Sequence, residues 1–122
     1  MCGIVAYIGD KDINTVILNA LGRLEYRGYD SAGMAAIENG KLVGHKERWK
    51  LSELRQLIEK HPSSNAHIGI GHTRWATHGE PTRQNAHPHT SFHGGNAVVH
   101  NGIIENYDTI RSDLELDGYQ FS

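Results

Sequence analysis

The only cysteine of the chain stands at position 2, directly ahead of the run GIVAYIG, and the two facts together constrain the fold. A short apolar run rich in β-branched residues predicts a buried strand from Gly3 to Ile8. Whatever Cys2 does, it does at the head of a strand. On the plain reading a free cysteine is a small buried hydrophobe, and Cys2 merely begins an edge strand. The chemical reading needs Met1 to be removed. Cys2 then carries a thiol and a free α-amine, groups that titrate in isolation at about 8.5 and about 7.7 to 8.0. The unprotonated amine can take the thiol proton, directly or through a water, so one residue supplies nucleophile and base. With Met1 attached the nitrogen is an amide, which is no base.

At 122 residues the chain suits one domain, a size at which about two-thirds of the unfolded surface is buried on folding. Twelve lysines and arginines against 14 aspartates and glutamates give a net charge of −2, so no basic surplus attracts nucleic acid or an anionic membrane. A small-molecule substrate fits better. One cysteine forms no internal disulfide, no basic segment precedes the opening apolar run, and that run is too short to span a bilayer. The expectation is a cytoplasmic protein. Nine histidines and 14 glycines are the unusual counts, and most of the histidines fall between His67 and Gly102.

Asp12 can cap a helix whose Val16, Ile17, Ala20, Leu21 and Leu24 share one face. RGYDSAG, Arg27 to Gly33, reads as a loop. Strands from Met34 to Ile37 and from Lys41 to His45 flank Asn39-Gly40, a dipeptide favoured in tight hairpin turns. Leu51, Leu54, Leu57 and Ile58 mark a second helix, ended by His61-Pro62 and the polar Ser63-Ser64-Asn65. A strand from Ala66 to Gly71 leads into a long aperiodic segment, TRWATHGEPTRQNAHPHTSFHGG, and irregular connections of that length are usually functional or disordered. Asn96 to His100 reads as a strand. Ile104, Tyr107, Ile110, Arg111 and Leu114 place a helix before Gly118, and Tyr119 to Ser122 reads as the beginning of another strand. The interleaved order predicts an α+β, layered arrangement.

A nucleophile needs a stabiliser for the oxyanion it creates. In VVHNGIIEN, Asn101 offers a side-chain amide and Gly102 a backbone N–H that can approach a ligand closely, although Asn-Gly after a strand is also a common turn. Arg74 can clamp a carboxylate with two parallel hydrogen bonds, or stand solvated. Its neighbours Trp75, Thr77 and His78 share the segment HTRWATHG, where Trp75 is either core or a lid. His87-Pro88-His89, with His72, His78, His93 and His100, invites a metal reading, but neither HExxH nor paired-cysteine spacing is present and no metal is expected.

Taken in order, MCGIVAYIG, LEYRGYDSAG, IGHTRWATHGEPTRQNAHPH and VVHNGIIENY resemble the glutaminase domain of the glucosamine-6-phosphate synthases. MCGI alone indicates the wider class of N-terminal-nucleophile amidotransferases, to which amidophosphoribosyltransferase belongs. The resemblance implies that Cys2 attacks the side-chain amide of L-glutamine, that ammonia leaves, and that water hydrolyses the glutamyl thioester. It implies an oxyanion hole of Asn101 and Gly102, and it places Arg74 on the substrate carboxylate with Thr77 and His78 nearby. Trp75 matches a gate to an ammonia channel, while Arg27 and Gly28 border the nucleophile. The implied fold is a four-layer αββα sandwich, with no cofactor. In the longer enzyme the ammonia converts fructose 6-phosphate to glucosamine 6-phosphate, and that enzyme is expected to be a homo-oligomer.

The sequence departs from the resemblance in places. Ala6 and Trp49 stand where glycine is common, and Phe92 to Gly95 lengthens a loop. The acidic, threonine-rich motif that supplies an aspartate for the substrate ammonium group is absent. Residues 1–122 are therefore expected to be the amino-terminal part of a type-2 glutamine amidotransferase domain, with the rest of the sandwich and the sugar isomerase domains outside the chain. Such a half-sandwich leaves one apolar sheet face uncovered, which predicts self-association or poor stability. The alternatives are another N-terminal-nucleophile amidotransferase, or a catalytically inactive fragment that binds glutamine or a partner.

Overall fold

A computed structural model describes residues 2–61 and 65–121. The expectations for Met1, for Pro62 to Ser64 and for Ser122 lie outside the described residues. Strand β1 (Gly3–Ile8) leads to helix α1 (Ile13–Arg23), where Asp12 caps the first turn by accepting from the Thr15 N–H at 2.9 Å. A short 3-10 turn, Glu25–Arg27, connects to the hairpin of β2 (Ser31–Glu38) and β3 (Lys41–Arg48). At its tip Asn39 and Gly40 both have positive φ, 51° and 77°, as this turn chemistry requires. Then follow α2 (Leu51–Lys60), β4 (Ile68–Arg74), a ribbon of β5 (His89–Thr90) and β6 (Ala97–Val98), and α3 (Tyr107–Leu116).

The first four strands form one antiparallel sheet in the order β1-β4-β2-β3. Alternation along the strands divides it into two faces. Ala32, Met34 and Ala36 face the helices, and they bury with Ile13, Ile17 and Leu21 of α1 and Leu51, Leu54 and Ile58 of α2. This is the core. The opposite face carries the cross-strand row Ile4, His72, Gly33 and Lys46. Segment 84–90 covers one end of that face, where a Cβ at Gly33 would strike the His87 carbonyl oxygen. The rest is uncovered: Ile4, Ile8, Ile37 and Ile68 are exposed, Ile8 to 76%. Among the described residues, helices α1 and α2 thus form one layer on one face of a four-stranded sheet.

Several local expectations are corrected. Ser31 to Gly33 belong to β2, so the RGYDSAG loop is shorter than its composition suggests; these residues are buried between β3 and β4 and complete their ladders. The strand expected from Ala66 begins at Ile68 and runs on to Arg74. The strand expected at Asn96 to His100 reduces to Ala97–Val98, paired with a β5 that the sequence did not signal. Residues 119–121 form no strand, since no neighbouring strand pairs with them. Instead Tyr119 N–H donates to the Leu114 carbonyl and Gly118 N–H to that of Glu115, closing α3 around a glycine with φ of 93°. Among the described residues no helix is long and apolar enough to cross a membrane.

Candidate active site

The pairing of β1 with β4 brings the chain start to the end of β4. Gly3 lies opposite Thr73, and just beyond that pair Cys2 meets Trp75, two residues on from Thr73: the Trp75 N–H donates to Cys2 Sγ at 3.3 Å. The sulfur also lies 3.6 Å from the Trp75 carbonyl oxygen. Cys2 is half-buried and opens on a cleft of about 410 Å³. Arg74, Trp75, Thr77, His78 and Gly102 line the same cleft, so six of the seven residues singled out in the sequence converge there.

The seventh, Asn101, stands just behind. Its Nδ2 donates to the Cys2 carbonyl oxygen at 3.3 Å, a link across 99 positions of sequence. Gly102 beside it has φ of 144°, a region that L side chains rarely adopt, and a Cβ there would lie 3.0 Å from the His100 ring. The Asn-Gly pair thus bends the chain beside Cys2, with Gly102 lining the cleft and Asn101 bonded to the Cys2 main chain.

Arg74 is almost fully buried at the end of β4. Its guanidinium donates to the carbonyl oxygens of His78 and Glu80, and more weakly to Gly79 at 3.5 Å. This pulls residues 75–80 into a tight loop over the strand end. Asp30 holds the same loop from below, its carboxylate accepting from the Ala76 N–H and its own N–H donating to the Arg74 carbonyl. Trp75, 50% exposed, is not core; it lines the cleft on one side and a second hollow, with Tyr29, Trp49 and Gly28, on the other. His78 sets its ring edge-on to Tyr107 of α3. Arg27 and Gly28 lie at the end of the 3-10 turn, and a Cβ on Gly28 would meet the Trp75 ring.

Residues that sequence reasoning did not assign a role complete the wall. His87 and His89 line the cleft, while His72 stacks on His87 from beneath, with centroids 4.3 Å apart. Burial, reinforced by His72, His89, Arg74 and Lys46, pushes His87 down to about 3. Burial likewise lowers His72 and His89, so all three rings are neutral near pH 7. The segment is pinned by Lys46, whose Nζ donates at 3.0 Å to the carbonyls of both Gln84 and Ala86. Among the described residues no group of three or more His, Cys, Asp or Glu is placed to hold a metal ion.

No family model matches the chain. It is 56% identical over 121 residues to glutamine–fructose-6-phosphate aminotransferase [isomerizing] of Caldanaerobacter subterraneus subsp. tengcongensis, covering 99% of this chain and 20% of that protein. The protein of the same name from Aquifex aeolicus is 54% identical, again over 99% of this chain and 20% of its own length. The chain thus spans about a fifth of the curated relatives it matches. Among solved structures, one of the allosteric regulatory enzyme of purine biosynthesis superposes over 100% of this chain and 26% of its own, with a TM-score of 0.80 and 26% identity. The glutamine phosphoribosylpyrophosphate amidotransferase of B. subtilis gives 0.74 at the same identity, covering 100% of this chain and 26% of its own.

Proposed function

From a chain that is homologous throughout to a fifth of the glutamine–fructose-6-phosphate aminotransferases and has the fold of the N-terminal-nucleophile glutamine amidotransferases, we propose that it carries out glutamine hydrolysis. The observation that supports the reading most is the hydrogen bond from the Asn101 amide to the Cys2 main-chain carbonyl, which keeps Asn101 close behind a cysteine that lines the cleft.

With Met1 removed, the Cys2 α-amine takes the thiol proton and the sulfur adds to the side-chain carbonyl carbon of glutamine. The carbonyl electrons move onto oxygen, where an Asn101 N–H and the Gly102 N–H hold the charge. Collapse returns the proton to nitrogen, expels ammonia and leaves a glutamyl thioester. Water, deprotonated by the same amine, then releases glutamate. Arg74 holds the substrate carboxylate with donors it does not spend on the loop, and Thr77 and His78 line the pocket beside it. The half-exposed Trp75, shared between two hollows, is the gate through which ammonia leaves. These steps are acid–base chemistry on the chain's own groups.

Where this domain is joined to the rest of such an enzyme, the acceptor of the ammonia is the fructose 6-phosphate of the relatives' name. The 50–56% identity to enzymes of that name favours this acceptor over a phosphoribosyl one, since the glutamine phosphoribosylpyrophosphate amidotransferase of B. subtilis is only 26% identical. The test is release of glutamate and ammonia from L-glutamine by the chain lacking Met1. Loss of that release in Cys2→Ser supports the reading, and equal release by Cys2→Ser contradicts it.

A further inference from the structure

We propose that His72 is a positioning residue for the oxyanion donor, setting the orientation of the Asn101 amide through a hydrogen bond from its Nε2. The inference rests on the glutaminase reading of the site. His72 is fully buried in β4, and its Nε2 lies 2.7 Å from Asn101 Oδ1. An amide oxygen only accepts, so Nε2 is the protonated nitrogen and Nδ1 the bare one; the tautomer follows from the partner. Nδ1 is buried without a hydrogen-bond partner, which costs less for a lone pair on a neutral ring than for an N–H.

The consequence for Asn101 is a matter of counting. Its oxygen accepts from His72, and one of its two amide hydrogens goes to the Cys2 carbonyl. One N–H is left for a ligand. The Cys2 carbonyl can only accept, so it fixes which end of the amide carries NH₂; flipped, the amide oxygen would face that carbonyl oxygen and the contact would turn repulsive. The ring bonded to the amide oxygen is itself fixed, stacked on His87 and opposite both Ile4 and Gly33 in the sheet. The charged or titratable groups facing it are His87 and Arg74; the His100 main chain adds a weak hydrogen-bonding contact to the ring, and no carboxylate faces it.

The proposal separates two kinds of reactivity at Cys2. Iodoacetamide alkylates the sulfur by displacement at a saturated carbon and needs no oxyanion donor. A glutamine analogue whose amide is replaced by a chloromethyl ketone also forms one C–S bond and releases chloride, the thiol proton going to solvent. Its ketone oxygen, however, must sit where the amide oxygen sits. His72→Phe retains the ring stack and removes the donor, whereas His72→Gln retains an N–H. The expected result is a chloromethyl ketone rate at least tenfold lower in His72→Phe, an iodoacetamide rate within twofold of the unsubstituted chain, and recovery to within threefold in His72→Gln.

Equal slowing of both reagents, or no recovery in His72→Gln, overturns the proposal. A second measurement decides it even if the unsubstituted chain shows no glutamine-protected labelling, the outcome that would defeat the glutaminase reading instead. Imidazole ¹⁵N shifts of His72 are expected to report the Nε2–H tautomer near pH 7, with slowed exchange of the Asn101 side-chain amide that is lost in His72→Phe. An Nδ1–H tautomer overturns the assignment whatever Cys2 does.

Discussion

The Cys2 sulfur accepts a hydrogen bond from the main-chain N–H of Trp75 at 3.3 Å, so the second residue of the chain is seated by a residue 73 positions away. The seat exists because β1 and β4 are neighbours in the sheet and β4 ends where β1 begins.

Arg74 ties the loop at residues 78–80 and lines the cleft, where the proposed function gives its remaining donors the substrate carboxylate. Lysine cannot reproduce this fork. Arg74→Lys is expected to raise the glutamine KM at least tenfold, equivalent to about 1.5 to 3 kcal/mol for charged hydrogen bonds, with a smaller change in kcat. Limited proteolysis at residues 75–80 is expected to accelerate in parallel. An unchanged KM would remove Arg74 from substrate binding.

Gly102→Ala forces a side chain onto a φ of 144° and against the His100 ring. Because residue 102 is exposed, the folded state has room to relax and stability falls little. The backbone beside the cleft shifts instead, and with it the N–H assigned to the oxyanion. Steady-state kinetics is expected to show kcat down by at least about tenfold, in keeping with the roughly 10²- to 10³-fold cost of deleting an oxyanion donor, with KM nearly unchanged. A kcat within twofold of the unsubstituted chain would argue that Gly102 only makes the turn.

His87 gives stability a pH dependence with a definite sign. Burial holds it at about 3 in the folded chain, against about 6.5 when unfolded. Between these values the unfolded chain binds a proton that the folded one refuses, so stability is complete above about pH 6.5 and is lost as pH falls towards about 3. His72, His89 and His45 are lowered too and act in the same direction. Urea midpoints are expected to fall from pH 7 to pH 5, less steeply in His87→Gln. A midpoint that rises on acidification would contradict the burial of these rings.

Much of this was legible in the sequence, for reasons that differ by element. Helices α1 and α2 and the hairpin turn carry local signals: a capping aspartate, apolar residues on one helical face, and Asn-Gly. Cys2, Arg74, Asn101 and Gly102 stand out as candidates because each residue type has a specific chemical use, and the fold brings them close together. Even the mismatch at Trp49 has a physical counterpart, since that residue has φ of 75°, the conformation in which glycine is common. The parts that escaped depend on distant partners. Ser31 to Gly33 look like loop until β3 and β4 flank them, and nothing local says that Lys46 will bind the carbonyls of Gln84 and Ala86. His72 and His87 were considered only as metal ligands, because a buried neutral imidazole serving an amide leaves no spacing pattern.

The central claim is that Cys2, freed of Met1, is a nucleophile in a glutamine-shaped cleft. Intact mass spectrometry before and after exposure to the chloromethyl ketone analogue, with the adduct mapped and L-glutamine as competitor, tests it most directly. The account predicts loss of Met1 and a single adduct on Cys2 that glutamine suppresses. Retained Met1, or labelling that glutamine leaves unchanged, would contradict it.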